Sequence, residues 1–202
     1  KRLRQWARTG LQEEIDIDST IKSTAKNGYL DIKTQKEKNN SIKVLLFLDV
    51  GGSMDPFIKL CEELFSAVKT EFKHLKYYYF HNCVYESVWK DNRRRTKERY
   101  EINDIINKYS SDYKLIFVGD ATMAPYEITN AGGSIEHWNE EPGGVWIKRL
   151  CSHFTSVAWL NPIQDDHWDY TSSVCILRDL VEKRMFPLTL KGLEDAMSNL
   201  SK

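Results

Sequence analysis

The residues best suited to chemistry in this sequence are an aspartate and a serine in one glycine-rich loop, with a second aspartate far along the chain. Asp49 and Ser53 belong to the stretch DVGGSM at 49–54, and Asp120 ends the stretch VGD at 118–120. The two glycines between Asp49 and Ser53 allow a sharp turn, so both side-chain oxygens can approach one point. Carboxylate and hydroxyl oxygens are ligands for hard cations such as Mg²⁺, which also keeps several waters. The three residues therefore predict a site for Mg²⁺ or Mn²⁺.

Both aspartates follow apolar runs that predict buried strands. The first run, at 43–48, ends at Asp49, and the second, at 113–118, is followed by Gly119 and Asp120. Runs of this kind are typical of parallel strands that are covered on both faces. A third such run lies at 156–160, and apolar residues at helical spacing predict helices at 56–72, 102–109, 146–154, 172–183 and 190–200.

This alternation of strands and helices predicts an α/β fold: a three-layer, doubly wound, mostly parallel sheet that binds ligands outside the carboxyl ends of its strands. One part departs from the parallel pattern, because 75–80 and 84–89 predict two strands joined tightly enough to form an antiparallel edge hairpin. A basic loop follows at 91–99. A long loop at 121–142 has a length that suggests a functional or partner-facing role.

The chain divides into two parts by composition. Residues 1–40 are polar and charged, and they predict an approach segment with a short capped helix at 16–27 and an edge strand at 29–34. Residues 41–202 form the predicted α/β domain.

Charge and hydropathy exclude two classes of partner. Lys and Arg together number 29, as do Asp and Glu, so the formal net charge is zero and no basic field attracts nucleic acid. No apolar run approaches the roughly 20 residues of a membrane helix, and the charged start has no apolar run behind it, so we expect no retained signal peptide. The four cysteines stand singly, as expected for reduced thiols. We therefore expect a cytoplasmic protein without a membrane span.

The two aspartate loops, in their strand and helix setting, resemble those of von Willebrand factor A domains. More closely, the stretches at 43–54, CEELFS at 61–66 and EHWNE at 136–140 are similar to bacterial CoxE-like proteins, over about residues 40–200. The resemblance implies a metal-ion-dependent adhesion site, in which Asp49, Ser53 and Asp120 hold Mg²⁺ directly or through water. An acidic side chain of a partner protein would complete the coordination shell.

The sequence departs from the family pattern D-x-S-x-S at one position, because Gly51 stands where the first serine belongs. A threonine expected from a second loop is also hard to place. Thr96 is the one threonine between 91 and 109, and Thr122 is near Asp120 in the sequence. Metal binding is therefore expected to be weak, rich in water or lost.

The CoxE-like resemblance implies a binding module rather than an enzyme. Its implied partners are a MoxR-type AAA+ ATPase and a client protein, in chaperone-like maturation or metal-cofactor insertion of other enzymes. The chain agrees in lacking the phosphate-binding pattern G-x-x-x-x-G-K-[ST]. Within the long loop, Glu136, Trp138 and Glu140 are the predicted partner contacts, because aromatic residues flanked by acids are natural anchors.

Two alternatives stay open from the sequence. An aspartate after a first buried strand is also the nucleophile of Mg²⁺-dependent phosphatases of the haloacid dehalogenase type, which need a second carboxylate two residues later as acid and base. Gly51 occupies that position and argues against this hydrolase. The other alternative is a metal-free scaffold of the same fold, which the same glycine keeps open.

Overall fold

The computed structural model describes residues 13–15, 22–23, 25–26, 34–36, 42–69 and 74–200. Two short strands in the first part of the chain, β1 (Glu13–Ile15) and β2 (Thr34–Lys36), pair antiparallel. Of the helix predicted at 16–27, residues 22–23 and 25–26 are described and are helical. The strand predicted at 29–34 lies outside the described residues except at its end, where β2 begins.

The remaining elements alternate along the chain. The strands are β3 (Lys43–Asp49), β4 (His74–Phe80), β5 (Ser87–Val88), β6 (Tyr100–Glu101), β7 (Lys114–Val118), β8 (Ser156–Asn161) and β9 (Met185–Pro187). The α-helices are α1 (Ile58–Lys69), α2 (Ile102–Lys108), α3 (Pro125–Thr129), α4 (Gly143–His153), α5 (Ser172–Leu180) and α6 (Leu190–Asn199). Two 3₁₀ segments, Gly52–Phe57 and Asp165–Tyr170, precede α1 and α5.

Five of these strands form one parallel sheet in the order β4-β3-β7-β8-β9. Counted along the chain this is the order 2-1-3-4-5 of a doubly wound sheet. The winding reverses between β3 and β7, and ligands bind at the carboxyl ends of strands beside such a switch point. Asp49 ends β3, so the topology places it at this point.

Helices cover both faces of the sheet. Residues of β3 alternate between the two: Leu45 and Phe47 join the core under α2, α4 and α5, while Val44 and Leu46 join the core under α1 and α6. Burial on both faces explains why the strands are continuously apolar. The predicted three-layer α/β fold is confirmed, and it is consistent with a Rossmann-like or von Willebrand factor A-type architecture.

The two strands predicted as an edge hairpin, at 75–80 and 84–89, pair with each other at only one bridge in the described structure. Tyr79 and Trp89 exchange two backbone hydrogen bonds, of 2.6 and 3.1 Å, as an isolated antiparallel bridge. The rest of the 84–89 run contributes only β5, which pairs antiparallel with β6 instead of with β4.

Several short elements are not predicted by the sequence, among them β1, β6, α3 and β9. Helix α3 lies inside the loop predicted at 121–142, and β9 is a sheet strand at 185–187. Strand β9 has three residues and ends in a proline, so its own pattern is too short to predict it. Its place in the sheet comes from its pairing with β8.

Candidate functional site

Three predicted strand ends meet at the carboxyl edge of the sheet. A Cβ atom added to Gly119 would lie 2.9 Å from the Cβ of Asp49, so the ends of β3 and β7 are in direct contact. Asn161, at the end of β8, donates from Nδ2 to the backbone carbonyl of Asp120 at 2.9 Å. The parallel register thus brings Asp49 and Asp120 into one small region, as the sequence predicts.

The carboxylate of Asp49 is buried and only half hydrogen-bonded. Its Oδ1 accepts from the backbone N–H of Gly51 at 2.8 Å and of Asn82 at 2.9 Å, whereas the buried Oδ2 has no hydrogen-bond partner among the described residues. Burial raises the pKa of Asp49 to about 7, although the two backbone hydrogen bonds lower it, and the charges of Asp120 and Glu127 raise it further. A buried oxygen in this state calls for a proton or a cation.

Two further carboxylates are buried beside Asp49. Asp120 accepts at Oδ1 from the backbone N–H of Thr122 at 3.0 Å, and Glu127 accepts at Oε1 from that of Ala124 at 3.2 Å. Within the described part of the chain, no lysine, arginine or histidine forms an ion pair with any of the three acids. Burying negative charges together without a counter-ion is costly, so the site favours a cation.

Asn82 occupies the space beside Gly51. A Cβ atom on Gly51 would collide with Oδ1 of Asn82 and would lie 3.2 Å from Oδ1 of Asp49. The Nδ2 of Asn82 donates to Oε2 of Glu127 at 3.1 Å, and this bond assigns the amide orientation that leaves Oδ1 beside Gly51. An amide oxygen from the loop after β4 therefore lies where a side chain at position 51 would begin.

The sequence does not single out Asn82 as a site residue, because it lies in the tight connection predicted between the strands at 75–80 and 84–89. The signal available was its residue type: Asn82 adopts a positive φ of 55°, a conformation that asparagine tolerates better than most residues.

The predicted hydroxyl residues differ in their relation to the acids. Ser53 lies in the 3₁₀ segment after Gly51 with an exposed side chain. Thr122 is exposed too, and its backbone N–H, rather than its hydroxyl, contacts Asp120. Thr96 is exposed in the turns between β5 and β6, and no hydrogen bond of the described residues joins it to either aspartate. Asn82 is thus a better-placed neutral oxygen than Thr96.

The three predicted partner contacts lie in different surroundings in the structure. Glu136 lies 3.1 Å from Nη2 of Arg95 and 3.8 Å from Nε2 of His81, so it is engaged by the basic loop within its own chain. Trp138 is 77% exposed, and Glu140 is exposed as well. Of the three predicted contacts, Trp138 and Glu140 therefore present a free surface together.

The oxygen atoms at this edge of the sheet suit Mg²⁺ only if water molecules complete most of its coordination shell. Among the residues that the structure describes, no three histidine, cysteine, aspartate or glutamate side chains come together as a metal-binding group. Mg²⁺ is commonly held by one or two carboxylates, with other oxygens and several waters. The unpartnered Oδ2 of Asp49, the nearby Asp120 and the amide oxygen of Asn82 meet that requirement.

Comparisons with protein-family models, with curated proteins and with solved structures find no match for this chain. The likeness to CoxE-like proteins stays a prediction from the quoted residues. Within the described ranges, no helix has both the length and the apolar character needed to cross a membrane.

Proposed function

We propose that the protein is a metal-ion-dependent protein-binding module, which captures an acidic side chain of a partner through Mg²⁺ or Mn²⁺ at the β3 and β7 strand ends. The observation that carries this proposal is the buried Oδ2 of Asp49, which has no hydrogen-bond partner in the described part of the chain and lies near two further buried carboxylates. A bound divalent cation supplies the positive charge that neutralises this region and attracts a carboxylate from outside.

Each residue of the proposed site has a distinct role. Asp49 and Asp120 hold the cation directly or through water, and Ser53 adds a hydroxyl from the exposed side of the loop. Asn82 supplies the amide oxygen that replaces a hydroxyl at position 51. Glu127 orients that amide through the hydrogen bond from Nδ2, so it is a positioning residue.

Binding is better supported than hydrolysis. The phosphatase alternative needs a carboxylate two residues after Asp49, and the space beside Gly51 is taken by the neutral amide of Asn82. A partner enzyme would then supply any catalysis. We propose a MoxR-type AAA+ ATPase and its client as the partners, supported by the resemblance at 43–54 and 136–140 and by the missing phosphate-binding pattern.

The decisive experiment is calorimetric titration of Mg²⁺ and Mn²⁺ into metal-stripped protein. We expect saturable binding that is lost in Asp49→Ala and kept in Asp195→Ala, a matched loss of an exposed aspartate on α6. Binding that survives Asp49→Ala would place the metal elsewhere. An absence of binding at millimolar Mg²⁺ would favour the metal-free scaffold.

The partner is tested separately. A MoxR-type ATPase from the same genome should be retained on the immobilised chain in Mg²⁺ and released by a chelator. Asp49→Ala should abolish retention, whereas Asp195→Ala should not. Retention that ignores both the chelator and Asp49→Ala would contradict metal-bridged capture.

A further inference from the structure

A separate cavity of about 270 Å³ is walled by indole rings and carboxylates. Five residues line it: Glu86, Trp138, Glu140, Glu141 and Trp146. Trp146 belongs to α4, and Trp138, Glu140 and Glu141 come from the loop before that helix. Of the proposed metal-site residues, none lines this cavity.

The loop wall of the cavity is fixed by a buried asparagine. Asn139 accepts from the backbone N–H of Ser134 at 2.8 Å, and it donates to the carbonyls of Asn130 at 3.2 Å and Glu141 at 2.9 Å. Its two sequence neighbours, Trp138 and Glu140, are thereby held on the surface. The Trp138 ring also packs so closely on Gly132 that a Cβ atom there would collide with it.

The lining carries more negative charge than its surroundings neutralise. Glu141 forms a two-point ion pair with Arg149, at 2.5 and 2.7 Å, and Glu86 lies 2.8 Å from Nε2 of His137. Glu140 has no ion-pair partner among the described residues. Arg149 stacks on Trp146 at 4.4 Å from the ring centroid but is not part of the cavity lining. The cavity therefore offers an unneutralised carboxylate next to aromatic surface.

Trp146 lines the cavity with only part of its indole. The indole Nε1–H of Trp146 is buried and has no acceptor within the described chain. Because this nitrogen has almost no exposed surface, Trp146 contributes the rest of its indole to the lining of the cavity.

From these observations we infer that the cavity receives a lysine or arginine side chain of a partner polypeptide. The aliphatic stem of such a side chain packs on indole rings, and its cationic head is attracted both by the rings and by the carboxylates. A hard metal ion fits less well, because it prefers oxygen ligands and two of the five lining side chains are indoles. This contact needs neither Asp49 nor a metal, so it is a second interaction surface beyond the proposed function.

The test is an NMR titration of the ¹⁵N-labelled full chain, following the indole N–H signals of Trp138 and Trp146. The probes are capped tripeptides with lysine, arginine or norleucine between two glycines, and tetramethylammonium chloride. We expect saturable shifts of both signals with the lysine and arginine peptides, and at least about tenfold weaker binding in Trp138→Ala and Glu140→Gln. The controls Tyr170→Ala and Glu62→Gln, which remove another exposed aromatic ring and another exposed carboxylate, should leave binding unchanged.

Four results would overturn the inference. Equal binding of the norleucine peptide would show an apolar groove rather than a cation site. Tetramethylammonium binding as tightly as the lysine peptide would assign the cavity to a free organic cation. No saturable shift with either basic peptide, or a shift that Trp138→Ala leaves unchanged, would remove the site altogether. Since no probe contains Mg²⁺, these results are independent of the metal titration.

Discussion

Asn82 is the residue that changes the interpretation of Gly51. From the sequence, the glycine removes a metal ligand, because no hydroxyl follows Asp49 at that spacing. In the structure, the amide oxygen of Asn82 lies against the position where a side chain at 51 would start. The same residue donates its backbone N–H to Asp49, so one turn both orients the carboxylate and adds an oxygen beside it. The glycine and the asparagine are therefore complementary.

This complementarity predicts the outcome of a double-mutant cycle. Asn82→Ala should weaken Mn²⁺ binding by roughly tenfold or more, by analogy with the loss of groups around a metal site. Gly51→Ser alone should also weaken it, because the new Cβ collides with Asn82. The double variant should bind more tightly than either single variant, since the serine hydroxyl then enters the space that the amide leaves.

Calorimetric titration of Mn²⁺ into the four metal-stripped proteins measures this coupling. Urea unfolding of each variant provides the control, so that a loss of folding is separated from a loss of affinity. Strictly additive effects of the two substitutions would show that Asn82 and Gly51 do not share one position.

The buried carboxyl of Asp49 predicts how the stability of metal-free protein depends on pH. Burial raises its pKa to about 7, whereas the ordinary value for an aspartate side chain in an unfolded chain is 3.8. The folded state therefore keeps the proton up to a higher pH than the unfolded chain does. Between about pH 4 and pH 7 the folded state binds more protons, and its free energy of unfolding falls as pH rises. The shift corresponds to on the order of 4 kcal/mol.

Asp49→Asn should remove this contribution while it also abolishes metal binding. We expect the variant to be more stable than the wild type at about pH 8 and similar to it near pH 4, because the amide carries no charge to desolvate. Urea unfolding of both metal-free proteins across this range measures the difference. Parallel stability curves would mean that Asp49 ionises in the folded state as it does in the unfolded chain.

At the scale of elements, the stretch predicted as a long loop at 121–142 is ordered by a helix and by buried polar side chains. It contains α3, the buried Glu127 and the buried Asn139, which joins three backbone segments. Buried polar side chains of this kind hold irregular backbone in one conformation. The loop therefore serves both proposed sites, with Glu127 directed to Asn82 and Asn139 supporting the wall of the cavity.

Asn139→Ala should disturb one site and spare the other. The substitution removes three hydrogen bonds to the partly buried backbone of the loop, so we expect a loss of roughly 2–3 kcal/mol in the free energy of unfolding. Binding of the lysine peptide should fall with it, because Trp138 and Glu140 lose their support. Mn²⁺ affinity should stay within about twofold of the wild type, as measured by calorimetry. Loss of metal binding with retained peptide binding would contradict this division of the loop.

For the whole molecule, the two surfaces have different structural origins. The proposed metal site depends on the parallel register of β3 and β7 at the switch point of the sheet. The cavity depends on α4 and the loop before it, and on Glu86, which directly precedes β5. Because the lining residues are distinct, a partner that engages both surfaces gains from two linked contacts.

This separation predicts that the two binding activities are independent. Asp49→Ala should lose Mn²⁺ and keep the lysine peptide, and Trp138→Ala should do the reverse. Titrating the peptide with and without saturating Mn²⁺ should give equal affinities, because neither ligand alters the groups that bind the other. A difference of more than about threefold would reveal coupling between the sites.

The sequence alone determined the layered architecture and the acidic pair of the proposed site. Continuous apolar runs report burial on both faces, and parallel strands necessarily gather their carboxyl ends at one edge, so Asp49 and Asp120 were predicted together. Local pattern was also sufficient for most helix positions, since an amphipathic face repeats within each helix.

Only the tertiary structure decided which neutral groups join those acids. Asn82 reaches Gly51 because β4 pairs with β3, a contact between residues about thirty positions apart that no local pattern encodes. Long-range contacts also decide that Glu136 pairs with Arg95 while Trp138 stays exposed. In the same way, the packing of α4 places Trp146 in the lining of the cavity. Short elements such as β9 have too few residues to be predicted from the sequence. They are stabilised by pairing with a neighbouring strand rather than by a periodic pattern of their own.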